Sequence, residues 1–507
     1  MAADGLNNAG ARRYSMKAVV IGGGMSGLAA AINLLDLGIE VELFEADEIF
    51  GGRASSWTDE DGDLIDNALH VFFPYYVNLL SFFEKLGIED NLLWKNMEFY
   101  YTQPGGKHAV LKIVDLPAPL HAAFGFAHLL KDNKEAPKWK ALWAGLPLAS
   151  GLLLSKEKID KLDDISMATL VYRYSPLEGL KYMEPGINGL TFTPSYSVSA
   201  KVMLNWGMKV FGSASCAHVG FANGGLGDIW VGTCLDYIKE KGGKVHLEKA
   251  VKGIEIEGGK VKRVVMADSK KVEADLYVSA VNVFSLRSLL PEEAYDLDYF
   301  RDLWHFTYAP SVSLMVWFDR KLTDVECTFF ANDCIFNTFA DLSNVLPDVH
   351  KGGSMFEMVL SPADHLQAMP DKVMFDIALE QIKERFPLAR DAAVRKYRII
   401  RDRQGIYRPS PGMEKYRPFQ RSPYDNLYLT GDYTKTHVSS AGMEAAIWNS
   451  NKVAELIASD KLGKAVSLNV EFKPNEPLMK YMKLVTRGAA LLGAVAVGKK
   501  LLRKAGQ

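Results

Sequence analysis

The chain has 507 residues, 48% of them apolar, and 59 lysines and arginines against 61 aspartates and glutamates leave a net charge of −2. That length exceeds what one hydrophobic core serves, so two domains are expected, and the apolar fraction suffices for both. Balanced charge and a pI near 6.6 give no electrostatic footprint for nucleic acid.

Residues 1–15 carry neither an apolar core nor enough positive charge for a signal or transit peptide, and read as a disordered leader. A β-branched run, Ala18 to Ile21, then meets Gly22, Gly24 and Gly27, with Met25 and Ser26 opening a helical pattern to Leu35. Only glycine lets a strand turn this tightly into a helix while its backbone approaches a pyrophosphate. Helix amides and the positive dipole end then face the phosphates. A second strand follows at Val41–Glu45, and Glu45, with Ala46 after it, stands where an acidic side chain accepts a ribose hydroxyl. Gly51-Gly52-Arg53 comes next.

Further along, the uncharged stretch from Ala141 to Leu154 is interrupted by Pro147 and is too short to span a bilayer. It reads either as a core helix pair or as a membrane-facing entrance flanked by Lys138, Lys140, Lys156 and Lys158. Gly242-Gly243 and Gly258-Gly259 mark turns between short strands, and Ala274–Ala280 returns as a strand. Near the end, Asn426–Thr430 reads as a buried strand running into Gly431-Asp432, with a helical pattern from about Met443 to Ile457. After Glu476 there is no acidic residue. Lys480, Lys483, Arg487, Lys499, Lys500, Arg503 and Lys504 flank the apolar block Gly488–Gly498, which suits a C-terminal amphipathic helix lying in an anionic interface. The cysteines Cys216, Cys234, Cys327 and Cys334 show no metal-ligand or disulfide spacing, so no metal and reduced, cytoplasmic thiols are expected.

The second glycine pair closed by Arg53, together with Gly431-Asp432, resembles the extended FAD fingerprint of the amine-oxidase and carotenoid-desaturase superfamily. That resemblance implies an α/β fold: a Rossmann-like FAD-binding domain from 16–110, 215–290 and 405–460, and a discontinuous α+β substrate domain from 111–214 and 291–404. Residues 461–507 are expected to form a basic membrane-associating tail. It also implies that Arg53 reaches the diphosphate, Asp432 the ribityl chain and the backbone near Val251 the adenine. Gly52, Leu69 and Met443 complete the cofactor contacts, and the helix after Asp432 aims its amides at the electron-poor end of the flavin.

The resemblance narrows. Asp61–Phe73, Leu116–Leu120, Trp317–Lys321, Arg417–Pro423 and Gly431–Lys435 are similar to plant and cyanobacterial phytoene and ζ-carotene desaturases. Three departures stand out: Ala68 replaces glycine before Leu69-His70, Ala445 replaces glycine after Met443-Glu444, and Trp206 replaces a pocket arginine. The resemblance implies desaturation of a lipophilic polyisoprenoid at a membrane surface, with electrons passed to a quinone or another acceptor. Oligomers are compatible with it. His70 is the candidate base, although a hydrogen-bonded structural histidine fits equally. Phe72, Phe73, Trp206 and Tyr433, with Thr434, are the expected substrate contacts. The alternatives are a hydroxysqualene dehydroxylase-like enzyme, a flavin amine oxidase and a non-catalytic lipid-binding flavoprotein. The amine oxidase is disfavoured because Thr436–Gly442 holds no tryptophan or tyrosine to sandwich an amine.

Overall fold

The computed structural model describes residues 16–118, 120–121, 124–125, 154–173, 178–350, 352–437 and 441–473. The leader, nearly all of the apolar 141–154 stretch and the basic tail beyond residue 473 lie outside the described residues.

In chain order the first elements are β1 (Lys17–Ile21), α1 (Met25–Asp36), β2 (Glu40–Phe44), β3 (Ser56–Thr58), β4 (Leu64–Asp66), α2 (Val77–Leu86), β5 (Leu92–Asn96), β6 (Glu98–Gln103) and β7 (Lys107–Lys112). The middle contributes α3 (Ala200–Phe211), β8 (His218–Ala222), α4 (Val231–Glu240), β9 (Lys244–His246), β10 (Val251–Glu257), β11 (Lys260–Met266), β12 (Lys271–Val272) and β13 (Leu276–Ser279). Then come β14 (Tyr308–Phe318), β15 (Thr328–Ala331), β16 (Thr338–Asp341), β17 (Met355–Leu360), α5 (Asp371–Arg385), β18 (Val394–Tyr407), β19 (Leu427–Leu429) and α6 (Met443–Leu462).

Two sheets organise the molecule. A five-stranded sheet, order β19-β13-β1-β2-β9, is parallel throughout. Its strands come from four separated parts of the chain and are apolar because both faces are covered. Helix α1 is buried along nearly its whole length, and α6 packs directly on it. Ser26 and Asn33 of α1 bond Ala446 and Asn451 of α6, and Ser450 donates back to the Ser26 carbonyl at 2.7 Å.

The second sheet has seven strands, order β18-β14-β17-β16-β15-β6-β7, antiparallel except where β15 runs parallel to β6. Residues 98–112 therefore sit in this sheet rather than with the nucleotide-binding strands that precede them in sequence. The cause is non-local: Phe99 stacks on Phe330 at 4.8 Å while Thr328–Ala331 pairs with Phe99–Thr102. One face of the sheet carries Phe329, Phe339 and Phe356 against α5; the other, with Met315, Ala340 and Met355, joins a core shared with Phe73 and Leu204.

Local boundaries follow the sequence closely. β2 ends one residue before Glu45, whose carboxylate turns back to accept from the amides of Gly23, Ala46 and Asp47. The expected turns hold glycines at positive φ: Gly242 at 83°, Gly258 at 60° and Gly259 at 76°. Helix α6 runs five residues past its expected end and stops at Gly463, whose φ of 62° is a left-handed C-terminal cap.

Candidate active site

The turn between β1 and α1 is built by three glycines with different tasks. Gly22 has φ 102° and donates to the Phe44 carbonyl at 2.8 Å. A Cβ on Gly27 would lie 1.8 Å from the Gly22 oxygen, so only glycine lets the helix start this close to the strand. A Cβ on Gly24 would meet nothing nearer than the backbone of Gly51 and Gly52, at 3.9 Å. Gly24 thus faces open ground beside the second glycine pair, and the start of α1 has no side-chain cap and no acidic residue in its first turn. Uncapped amides beside a glycine cradle fit a pyrophosphate.

Gly51 (φ 112°) and Gly52 (φ 58°) place Arg53 on a short 3₁₀ turn. From there the guanidinium reaches 379 residues along the chain to Asp432, at 2.8 Å, and also donates to the Gly405 carbonyl at 2.6 Å. The two residues assigned to adjoining parts of the flavin nucleotide, its diphosphate and its ribityl chain, are therefore direct neighbours. Asp432 is held by a residue whose part the sequence did not reveal. Arg417, 3% exposed, donates to the carbonyls of Asp432, Tyr433 and Thr434 and pairs with Glu414 at 2.9 Å. Gln420 donates to the Lys435 carbonyl and to Asn449. Arg417 and Gln420 stand in the Arg417–Pro423 segment that resembles the desaturases, which gave no hint of this clamp.

Helix α6 starts at Gly442 (φ 127°), again without a side-chain cap. Its second residue, Glu444, is buried and accepts from the amides of Asn78 and Leu79 and the Asn78 side chain. One carboxylate thereby caps α2 and fixes the start of α6 against it. Burial pushes Glu444 up to about 7, against the pull of those amides and of Lys209. Glu444 was marked only as part of the desaturase-like Met443-Glu444 run, and Lys209 has no sequence signal separating it from an ordinary surface charge. Lys209, on α3, is held down to about 8 by burial, with its ammonium 5.6 Å from the centre of the Tyr75 ring.

His70 follows β4 on the segment leading toward Phe72. Its Nδ1 lies 2.6 Å from the Ala68 carbonyl, so the neutral ring donates there and leaves Nε2 free to accept. Burial lowers its pKa and Arg53 adds to this, while the Ala68 carbonyl opposes. Val251 opens β10, just after Lys249 donates to the Glu45 carbonyl at 2.8 Å, so Ala46 and Val251 share one corner. Met443 is buried against the nucleotide-side core.

The expected substrate contacts do not form one wall. Phe73, stacked on Tyr75 at 5.2 Å, belongs to the same core as Leu204, against which Leu69 and Trp206 pack. The Trp206 ring is edge-on to Phe211, and its buried Nε1 has no hydrogen-bond partner. Phe72 is fully buried in the core under the parallel sheet, 6.1 Å from Phe83. Tyr433 packs edge-on to Phe306 in a third core, its hydroxyl buried without a partner. Thr434 is fully buried and donates to the Gly431 carbonyl at 2.9 Å.

Among the described residues one group of carboxylates is close enough to hold a metal: Asp59, Asp61 and Asp63. Lys396 already occupies the space among them, with its ammonium 2.5, 2.7 and 2.8 Å from the three. The four cysteines are free. No described helix is long and apolar enough to cross a membrane.

A parallel nucleotide-binding sheet, a glycine cradle at its first turn and an Arg53–Asp432 meeting point define a flavin-dependent oxidoreductase. The chain belongs to the flavin containing amine oxidoreductase family, whose model matches residues 25–458, and it uses FAD. It is 28% identical to 15-cis-phytoene desaturase of Synechococcus elongatus, covering 87% of this chain and 96% of the relative. To zeta-carotene desaturase of Synechocystis it is 30% identical, covering 88% and 98%. Among solved structures, an oxidoreductase from Methanosarcina mazei superposes with TM-score 0.67 at 20% identity, over 87% of this chain and all of that one. Putrescine oxidase superposes with TM-score 0.65 at 16% identity, over 88% and 99%. At such identities these two show the fold alone.

Proposed function

We propose that the chain is a desaturase that introduces carbon–carbon double bonds into a long polyisoprenoid of the phytoene or ζ-carotene kind, met at a membrane surface. The observation that carries this reading is the match to two desaturases along nearly their whole length, at 28% and 30% identity. When bound, FAD supplies a two-electron acceptor for a hydride, and a quinone or other acceptor then reoxidises it.

The chain's own part is binding, orientation and exclusion of water. The Gly22–Gly27 turn and the start of α1 receive the diphosphate together with Arg53, Glu45 takes a ribose hydroxyl, and Asp432 the ribityl chain. The uncapped start of α6 would offer a positive dipole to stabilise negative charge on a bound flavin ring. Phe73 and Trp206 give the substrate side apolar and aromatic surface, which suits a hydrocarbon. His70 stays neutral beside Arg53, with Nε2 available as an acceptor.

Expression in a carotenoid-negative host supplied with phytoene tests the reading. Extracted lipids should contain polyenes with added double bonds. Consumption of hydroxysqualene alone would transfer the chain to the dehydroxylase-like reading.

A further inference from the structure

The turn Asp59–Asp63 is the tip of the β3–β4 hairpin, between Arg53 and His70 in the chain. Asp59 builds it: its Oδ1 accepts from the amides of Asp61 and Asp63, both at 3.0 Å. Carboxylate oxygens of Asp59, Asp61 and Asp63 lie within 4.8 Å of one another, where like charges repel. The ammonium of Lys396, on β18, stands among them. Arg398 is two residues on and faces the same side of the strand. It pairs with Asp59 at 3.3 Å and lies 5.9 Å from the centre of the Trp57 ring of β3. The Asp59 side chain is 1% exposed, so the ion cluster is a buried one.

β18 holds the same hairpin at a second place. Its pairing with β14 is regular from Trp317↔Lys396 to Ser311↔Asp402 and resumes at Ala309↔Ile406, so Pro310 alone opposes residues 403–405. Proline has no N–H to give the ladder, and in this bulge the Gly405 carbonyl accepts from Arg53 at 2.6 Å. Between the two ties, Ile400 packs on the core that holds Phe73 and Leu204. One strand of the substrate-side sheet therefore grips the hairpin at its base, through Arg53, and at its tip, through Lys396. Apolar residues often stabilise a fold as well as a buried ion cluster does, and the best-attested gain from such a cluster is a fixed register.

We propose that Lys396 is a positioning residue for the cofactor: it pins the Asp59–Asp63 tip to β18 and so keeps Arg53 in register with Gly405 and Asp432, where Arg53 meets the FAD diphosphate. This rests on that placement of Arg53 and not on the identity of the substrate. Without the ammonium, Asp61 and Asp63 repel each other and Asp59, and the tip lifts from the strand. Asp59 keeps Arg398 and its two amides, so the turn itself persists. Arg53, no longer held from both ends of the hairpin, samples more orientations and binds the diphosphate less well.

The test reads the FAD dissociation constant of the full chain from flavin fluorescence as the loaded protein is diluted. Lys396→Met should weaken FAD binding roughly tenfold. Lys321→Met is the structural control. Its ammonium, just beyond β14, is bound by the Ser343 carbonyl and hydroxyl and by Asn344, so its loss should lower the melting temperature without moving FAD affinity. In a chain already weakened by Arg53→Met, adding Lys396→Met should weaken FAD no further, because its effect passes through Arg53. Should Lys396→Met fail to fold, Asp61→Asn, at the most exposed of the three acids, should shift the constant the same way by about twofold. Three results would overturn the proposal and leave Arg53 at the diphosphate: parental FAD affinity in folded Lys396→Met, an equal loss in Lys321→Met, or a full further loss beside Arg53→Met. Parental affinity in Arg53→Met would overturn both. Flavin affinity does not depend on which substrate is oxidised, so the desaturase reading stands or falls separately.

Discussion

At the scale of single residues, Gly24 and Gly27 separate cofactor binding from folding. Gly24→Val puts a side chain into the open ground beside Gly51 and Gly52, so the variant should fold like the parent and emerge from purification colourless. Gly27→Ala drives a Cβ into the Gly22 oxygen and should lower the melting temperature as well. Flavin absorbance per protein and a thermal melt distinguish the two; a full flavin spectrum in Gly24→Val would contradict the cradle. These glycines and Glu45 were legible in sequence as a candidate cradle because a tight strand-to-helix turn demands glycine at fixed spacing, whereas Arg53 and Asp432 entered only through the family resemblance. The burial of Glu444 against Asn78 and Leu79 was not. A carboxylate in a strand or a first helical turn reads as a solvated charge until tertiary packing removes its water.

At the scale of elements, the start of α6 depends on Glu444. Replacing it with alanine leaves the Asn78 and Leu79 amides without their acceptor, and should cost about 1–3 kcal/mol of stability, read by denaturant unfolding. Its pKa is raised from 4.5 to about 7 on folding, so the folded chain binds that proton more tightly than the unfolded one. The sign follows: this contribution is fully present below about 4.5 and is lost as pH rises to about 7. Glu444→Gln should therefore flatten the pH dependence of the melting temperature across that window; an unchanged slope would place the titration elsewhere. The strands and helices of the nucleotide sheet were legible because each is a continuous apolar run ended by glycine. The transfer of Glu98–Lys112 to the other sheet was not, because it depends on Phe99 meeting Phe330, more than 200 residues away.

At the scale of the whole molecule, the fold brings together segments hundreds of residues apart, and the account of function rests on what that assembly admits. Deleting residues 478–507 should move the protein from the membrane fraction toward the soluble one, with high salt giving a partial effect because only the basic contribution is screened. Unchanged partitioning would shift the anchor to the 141–154 stretch. Trp206→Arg should alter the product pattern or rate on phytoene-like substrates while leaving flavin content unchanged. Identical behaviour on every polyene tried would remove Trp206 from the substrate path. The most direct measurement mixes the FAD-loaded chain, without oxygen, with phytoene-like polyisoprenoids in liposomes and separately with amines, while flavin absorbance is followed. Bleaching by the polyisoprenoid, with a new double bond in the recovered lipid, is the expected result. Bleaching by amines alone would contradict the account.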